Sequence, residues 1–88
     1  METGFYCYIL CCANGTYYTG WTTDPVRREK QHNRGIGSKY TRQHRPVTLV
    51  YIEPLSSRSE AMKRELKIKR LSHDQKQKLV QTKPYGTD

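Results

Sequence analysis

From Phe5 the chain runs through eight uncharged residues, Phe-Tyr-Cys-Tyr-Ile-Leu-Cys-Cys, that are aromatic, β-branched or small and apolar. An unbroken run of that composition predicts a strand buried on both faces. Asn14-Gly15 interrupts it and Thr16-Tyr17-Tyr18-Thr19-Gly20-Trp21 resumes it, which predicts a β-hairpin. Asp24-Pro25 then reads as the N-cap and first turn of a helix that runs to Arg34 and stops at Gly35. Residues 35–46 hold Gly35, Gly37, Lys39, Tyr40, Arg42, His44, Arg45 and Pro46, and read as a loop. Val47 to Glu53 is a third strand, ended by Pro54. Ser57-x-x-Glu60 is a capping box before a helical run over 58–71, and Ser72-x-x-Gln75 opens a short last helix to about Gln81. The order β-β-α-β-α-α describes a small α+β domain, an antiparallel hairpin with helices packed on its sheet. Residues 1–82 are expected to form the single domain and 83–88, with Pro84 and Gly86, a flexible tail.

Two hairpin registers are open. A two-residue Asn14-Gly15 turn pairs Ala13 with Thr16 and sends Tyr8 and Tyr18 to opposite faces of the sheet. A three-residue loop, Ala13-Asn14-Gly15 with Gly15 left-handed, pairs Cys12 with Thr16 and puts Tyr8, Leu10, Tyr18 and Gly20 on one face.

Eighty-eight residues support one domain and one modest core. Only 34% of them are hydrophobic, but seven Tyr, one Trp and one Phe argue against a disordered chain. No apolar run is long enough for a transmembrane helix or a secretory h-region, and Met1-Glu2-Thr3-Gly4 carries no myristoylation pattern, so a cytoplasmic protein is expected. Cys7, Cys11 and Cys12 are an odd set within six residues. In a strand Cys7 and Cys11 stand about 13 Å apart, too far for one tetrahedral zinc, so they read as free thiols acting as small hydrophobes.

Charge changes the picture most. Sixteen Lys+Arg against eight Asp+Glu leave a net charge of +8. Such an excess favours an anionic partner, nucleic acid above all, with solubility as the bland reading. The basic positions run through Arg27, Arg28, Lys30, Arg34, Lys39, Arg42 and Arg45, then Lys63 to Arg70. No polybasic tail or basic amphipathic helix with a bulky apolar face suggests a membrane surface.

Two placements look chemical. Arg28 and His32 are i,i+4 neighbours on one helix face, a poor structural pair but a sensible one if both address a phosphate; a solvated basic face is the alternative. In the second long helix Ala61, Met62, Leu66 and Ile68 define an apolar arc with Glu65 near its middle. A carboxylate there needs a cation or a partner, and Lys69 at i,i+4 would serve as one.

These residues resemble the GIY-YIG nuclease superfamily, in particular its short stand-alone (YhbQ/YazA-like) branch. Tyr6-Cys7-Tyr8-Ile9-Leu10 corresponds to the first motif, with Tyr6-Cys7 where Gly-Ile would stand, and Tyr18-Thr19-Gly20 to the second. The helical Arg matches Arg28, with His32 four residues on, and the acidic metal ligand matches Glu65 in Glu60-Ala61-Met62-Lys63-Arg64-Glu65. The resemblance spans roughly residues 5–80 and implies a three-stranded antiparallel sheet flanked by helices. It implies a metal-dependent endonuclease acting on DNA, or else RNA, in repair or recombination. Tyr8 would deprotonate or orient the attacking water with help from Tyr18 and His32, and Arg28 would offset phosphate charge. Glu65 would hold one Mg²⁺ or Mn²⁺. A base role for Tyr8 calls for a pKa lowered by nearby cations. Arg27, Arg34, Lys39, Arg42 and Arg45 are expected to bind nucleic acid, and a protein partner to supply substrate specificity. A basic nucleic-acid-binding module with little or no catalysis, and an adaptor that binds protein through the sheet or the 35–46 loop, are the competing readings.

Overall fold

A computed structural model describes residues 4–85; the N-terminal Met1-Glu2-Thr3 and the last three residues of the expected tail, 86–88, lie outside the described residues. Strands β1 (Phe5–Cys11), β2 (Tyr17–Thr22) and β3 (Thr48–Leu55) make one antiparallel sheet in the order β2-β1-β3. Helices α1 (Pro25–Asn33) and α2 (Lys39–Gln43) precede β3, and α3 (Arg58–Lys69) and α4 (His73–Thr82) follow it. The α+β arrangement is the expected one.

The turn settles the register. Gly15 takes φ +86°, Gly15 N–H donates to Cys12 O at 2.9 Å, and Cys12 N–H donates to Thr16 O at 2.8 Å. Cys12 therefore faces Thr16 across a three-residue loop, Tyr8 pairs with Gly20, and Leu10 pairs with Tyr18.

Strand β1 is central, and Cys7 to Leu10 are all buried, which is why its apolar run does not alternate. Tyr8, Leu10 and Cys12 pack with Val47 and Leu49 on one face, joined by Tyr18 and Ile52. Cys7, Ile9, Tyr51 and Ile68 pack on the other, with Tyr17, Trp21, Leu71, Leu79 and Val80 around them. The cysteines are free thiols, and Cys7 and Cys12 are buried.

Three local expectations change. The 35–46 segment contains α2, started where the Ser38 hydroxyl accepts Thr41 N–H at 3.1 Å. Strand β3 continues through Pro54, because an edge strand tolerates a missing N–H on its outer side. On α3 only Ala61 and Ile68 are buried, whereas Met62 and Leu66 are 47% and 55% exposed. The small Ala61 lets α3 approach so closely that Cys7 Sγ–H donates to Ala61 O at 3.1 Å. The contact seam is thus the narrow stripe Ala61-Glu65-Ile68, and the bulkier pair falls beside it.

The outer edge of β3 is tied down over its first residues. Leu49 N–H donates to Glu29 Oε2 at 2.7 Å. Just ahead of the strand, Val47 N–H donates to Asn33 Oδ1 at 2.7 Å and Val47 O accepts from Asn33 Nδ2 at 2.9 Å. Tyr85 N–H donates to Val50 O at 3.0 Å.

Candidate active site

The hairpin register lays the Tyr8 side chain across the strand toward Gly20. A Cβ on Gly20 would stand 2.5 Å from Tyr8 Oη, so only glycine leaves room for the ring. Tyr18, two residues away on the same face, lies beside it.

Helix α1 brings the next groups. Asp24 accepts Arg27 N–H at 3.1 Å and Pro25 takes the first turn, which fixes the start of the helix. The bonds from Glu29 and Asn33 to the β3 edge then orient its inner face. That face carries His32, which has no exposed surface, and Arg28, which is half-buried. His32 Nε2 lies 2.9 Å from Tyr8 Oη, and the His32 and Tyr18 ring centroids are 5.1 Å apart. Arg28 donates from Nη1 to Gln31 Oε1 at 2.9 Å and from Nη2 to Gly37 O at 3.2 Å.

The short α2 closes the far side of the imidazole. Thr41 Oγ1 lies 2.7 Å from His32 Nδ1, and Gly37 passes so near the ring that a Cβ there would overlap it. Sequence reasoning missed Gly37 and Thr41 as supports of the site. The usable signal was Ser38, an N-cap residue three positions before Thr41 in a segment read as loop.

Burial sets the protonation states. The Tyr8 hydroxyl is pushed up to about 12 by desolvation, with Arg28 pulling it down and Tyr18 and Glu65 adding to the rise. His32 is held down at about 4 by burial and then by the Arg28 charge. At neutral pH the pair is a protonated tyrosine against a neutral histidine. Desolvation therefore outweighs the neighbouring cation, and the lowered tyrosine pKa that a free phenolate base calls for is not found.

Glu65 is half-buried on α3, and its charge reaches both Tyr8 and Cys7, raising each. Lys69 Nζ stands 3.5 Å from Glu65 Oε2, so the helical ion pair is formed. Among the described residues no group of three or more His, Cys, Asp or Glu side chains could cage a metal. A single carboxylate suits a hard cation that keeps most of its waters, such as Mg²⁺. Glu65 is the carboxylate that would hold such an ion, and here it is paired with the half-exposed Lys69.

Arg27, Arg34, Lys39, Arg42 and Arg45 are all exposed. Arg42 and Lys39 border a shallow hollow with Gly35 and Gly37, and Arg42 shares a second with Asn33 and Arg45. Arg45 is partly committed to the fold, donating from Nη1 to Asn33 O at 3.3 Å and from Nε to Arg42 O at 3.0 Å. No helix among the described residues is long and apolar enough to cross a membrane.

Comparison with known proteins points the same way. The GIY-YIG catalytic domain matches residues 4–78. A UPF0213 protein of Halobacterium salinarum is 56% identical over 72 residues, covering 82% of this chain and 94% of its own length. One from Staphylococcus haemolyticus is 50% identical over 76 residues, covering 86% and 93%. The NMR structure of a UPF0213 protein from Bacillus halodurans superposes with a TM-score of 0.60 at 44% identity, over 94% of this chain and 88% of that one. A second NMR structure, from Enterococcus faecalis, gives 0.61 at 41%, over 92% and 86%. The fold is thus a nuclease-type fold, from a family that acts on nucleic acids and whose nucleases use a divalent metal. With its tyrosines, arginine and histidine gathered on one sheet face, this chain belongs to the GIY-YIG superfamily, in its small stand-alone UPF0213 (YhbQ-like) branch.

Proposed function

We propose that the protein is a metal-dependent endonuclease that hydrolyses phosphodiester bonds in DNA. One observation carries this reading: a protonated Tyr8 hydroxyl lies 2.9 Å from a neutral, buried His32 Nε2. A tyrosine with a raised pKa is a poor base alone. Backed by an acceptor, it takes a proton from water while passing its own to Nε2, and no free phenolate is needed. The water oxygen then attacks phosphorus, the scissile P–O bond breaks, and the leaving oxygen is protonated from solvent. Arg28, held by Gln31 and Gly37, has donors left to offset charge on the phosphate, and Tyr18, packed against the His32 ring, would assist Tyr8. A Mg²⁺ or Mn²⁺ at Glu65 would supply positive charge for the departing oxygen. The exposed Arg27, Arg34, Lys39, Arg42 and Arg45 hold the backbone of the polymer, and a protein partner selects the substrate. We place the activity in the cytoplasm, in repair or recombination.

The second reading is a basic binding module with little catalysis, favoured by the salt link that occupies Glu65. The two separate when purified protein meets branched, nicked, single-stranded and duplex DNA, and RNA, with Mg²⁺ or Mn²⁺ and then EDTA. Cleavage that stops with chelation is expected. Binding to every substrate without a cut would leave the module.

A further inference from the structure

The support that the buried Thr41 hydroxyl gives His32 has a specific chemical consequence. We infer that Thr41 is a positioning residue: its Oγ1 accepts the His32 Nδ1 proton, which keeps Nε2 bare to receive the proton of Tyr8. The inference rests on the nuclease reading for its consequence, though not for its geometry.

The proton positions follow from burial. Tyr8 is 1% exposed, and His32 Nε2 is the acceptor within reach of its hydroxyl, since Arg28, which also reaches it, can only donate. A buried hydroxyl with one such acceptor will donate to it, because an orphaned O–H is costly. Nε2 is then unprotonated, and the single proton of a neutral imidazole sits on Nδ1. His32 and Thr41 are both fully buried, so Thr41 Oγ1 at 2.7 Å is the acceptor that Nδ1–H has. Thr41 keeps a donor to spend, and Ser38 offers its Oγ at 2.8 Å and its carbonyl oxygen at 3.3 Å. The protons run in one direction, from Tyr8 to His32 to Thr41 to Ser38.

The reverse arrangement has Thr41 O–H donating to Nδ1 and Nε2–H pointing at Tyr8 Oη. It leaves the Tyr8 proton with no acceptor and blocks the nitrogen that the reaction uses. Helix α2 thus fixes the tautomer. Ser38 caps it, and the cap sets Thr41 against the ring while Gly37 leaves space for that ring.

Long-range ¹H–¹⁵N NMR of the His32 imidazole at neutral pH tests this in the wild type, Thr41→Val and Thr41→Ser. The wild type and Thr41→Ser should show the Nδ1–H tautomer, and Thr41→Val a shift toward Nε2–H with backbone amide dispersion kept. Cleavage should follow, with kcat about 10–100-fold lower in Thr41→Val at unchanged KM and restored in Thr41→Ser. A wild-type imidazole protonated on Nε2 overturns the inference with no variant needed, and so does a Thr41→Val protein with unchanged tautomer and kcat. A wild type that cuts nothing sinks the nuclease reading instead, while the ring spectra still decide the proton's place.

Discussion

Gly37→Ala offers a direct test of how tightly the site is built. The added methyl would stand 2.6 Å from His32 Cε1, and closer still to Nδ1 and Cγ of the same ring. His32 cannot yield by rotation, since it is fully buried and bonded at both nitrogens. Either the 35–38 backbone moves out or the ring leaves Tyr8 and Thr41. Overpacking of this kind costs about 1–3 kcal/mol, and loss of one of the two ring hydrogen bonds adds about 1. In a domain this small a total near 2–4 kcal/mol lowers Tm by at least about 8 °C. Gly15→Ala is the control. It meets nothing within 4 Å but takes φ +86°, and that strain costs about 1–2 kcal/mol at a turn remote from His32. Thermal unfolding and His32 side-chain shifts on both variants give the comparison, with DNA cleavage as a third reading. Both should lose stability, and only Gly37→Ala should disturb the ring and its activity. A Gly37→Ala protein melting within about 2 °C of wild type, with unchanged His32 shifts, refutes the packing argument.

Glu65→Gln should abolish divalent-dependent cleavage and Mn²⁺ line broadening at residue 65 while sparing the fold, since the half-exposed Lys69 pair contributes only about 0.2–0.5 kcal/mol; identical Mn²⁺ titrations of wild type and variant would remove the metal site. Stability should fall as pH drops from about 6.5 to about 4, because the unfolded chain protonates His32 near 6.5 and the folded chain only near 4. The loss is on the order of 2–3 kcal/mol, read by urea denaturation at several pH values, and it should vanish in His32→Gln. DNA affinity should fall with salt on a log–log slope of about −0.9 per phosphate contacted, with each of Arg34, Lys39 and Arg42 changed to Ala reducing that slope; affinity flat in salt would leave the basic face to solubility alone.

What could be read from the chain was local chemistry. The hairpin at Asn14-Gly15 was legible, its register narrowed to two until the left-handed Gly15 chose one, and the Ser57 and Ser72 caps start α3 and α4 where expected. What stayed hidden depends on contacts between segments. Helix α2 is too short for periodicity to reveal, and its value lies in setting Thr41 against a histidine nine residues earlier. Met62 and Leu66 read as core because hydropathy weighs side chains and not the closeness that Ala61 permits. The raised Tyr8 pKa was invisible for a related reason: neighbouring cations can be counted along the chain, whereas desolvation exists only after folding.

The bonds along β3 also bear on how the protein behaves in a crowded solution. A three-stranded sheet has two open edges, and a long bare edge is a template for strand pairing between molecules. On β3 the Leu49 N–H is taken by Glu29 and the Val50 carbonyl by Tyr85, Val47 is clamped by Asn33, and Pro54 has no N–H to offer. A neighbouring molecule approaching that side finds the start of the edge already occupied and a proline near its end. The side chains that orient the inner face of α1 thereby also guard the sheet against fibre-like growth. Changing Glu29 or Asn33 would then be felt first as aggregation on concentration, before any effect on the His32 ring.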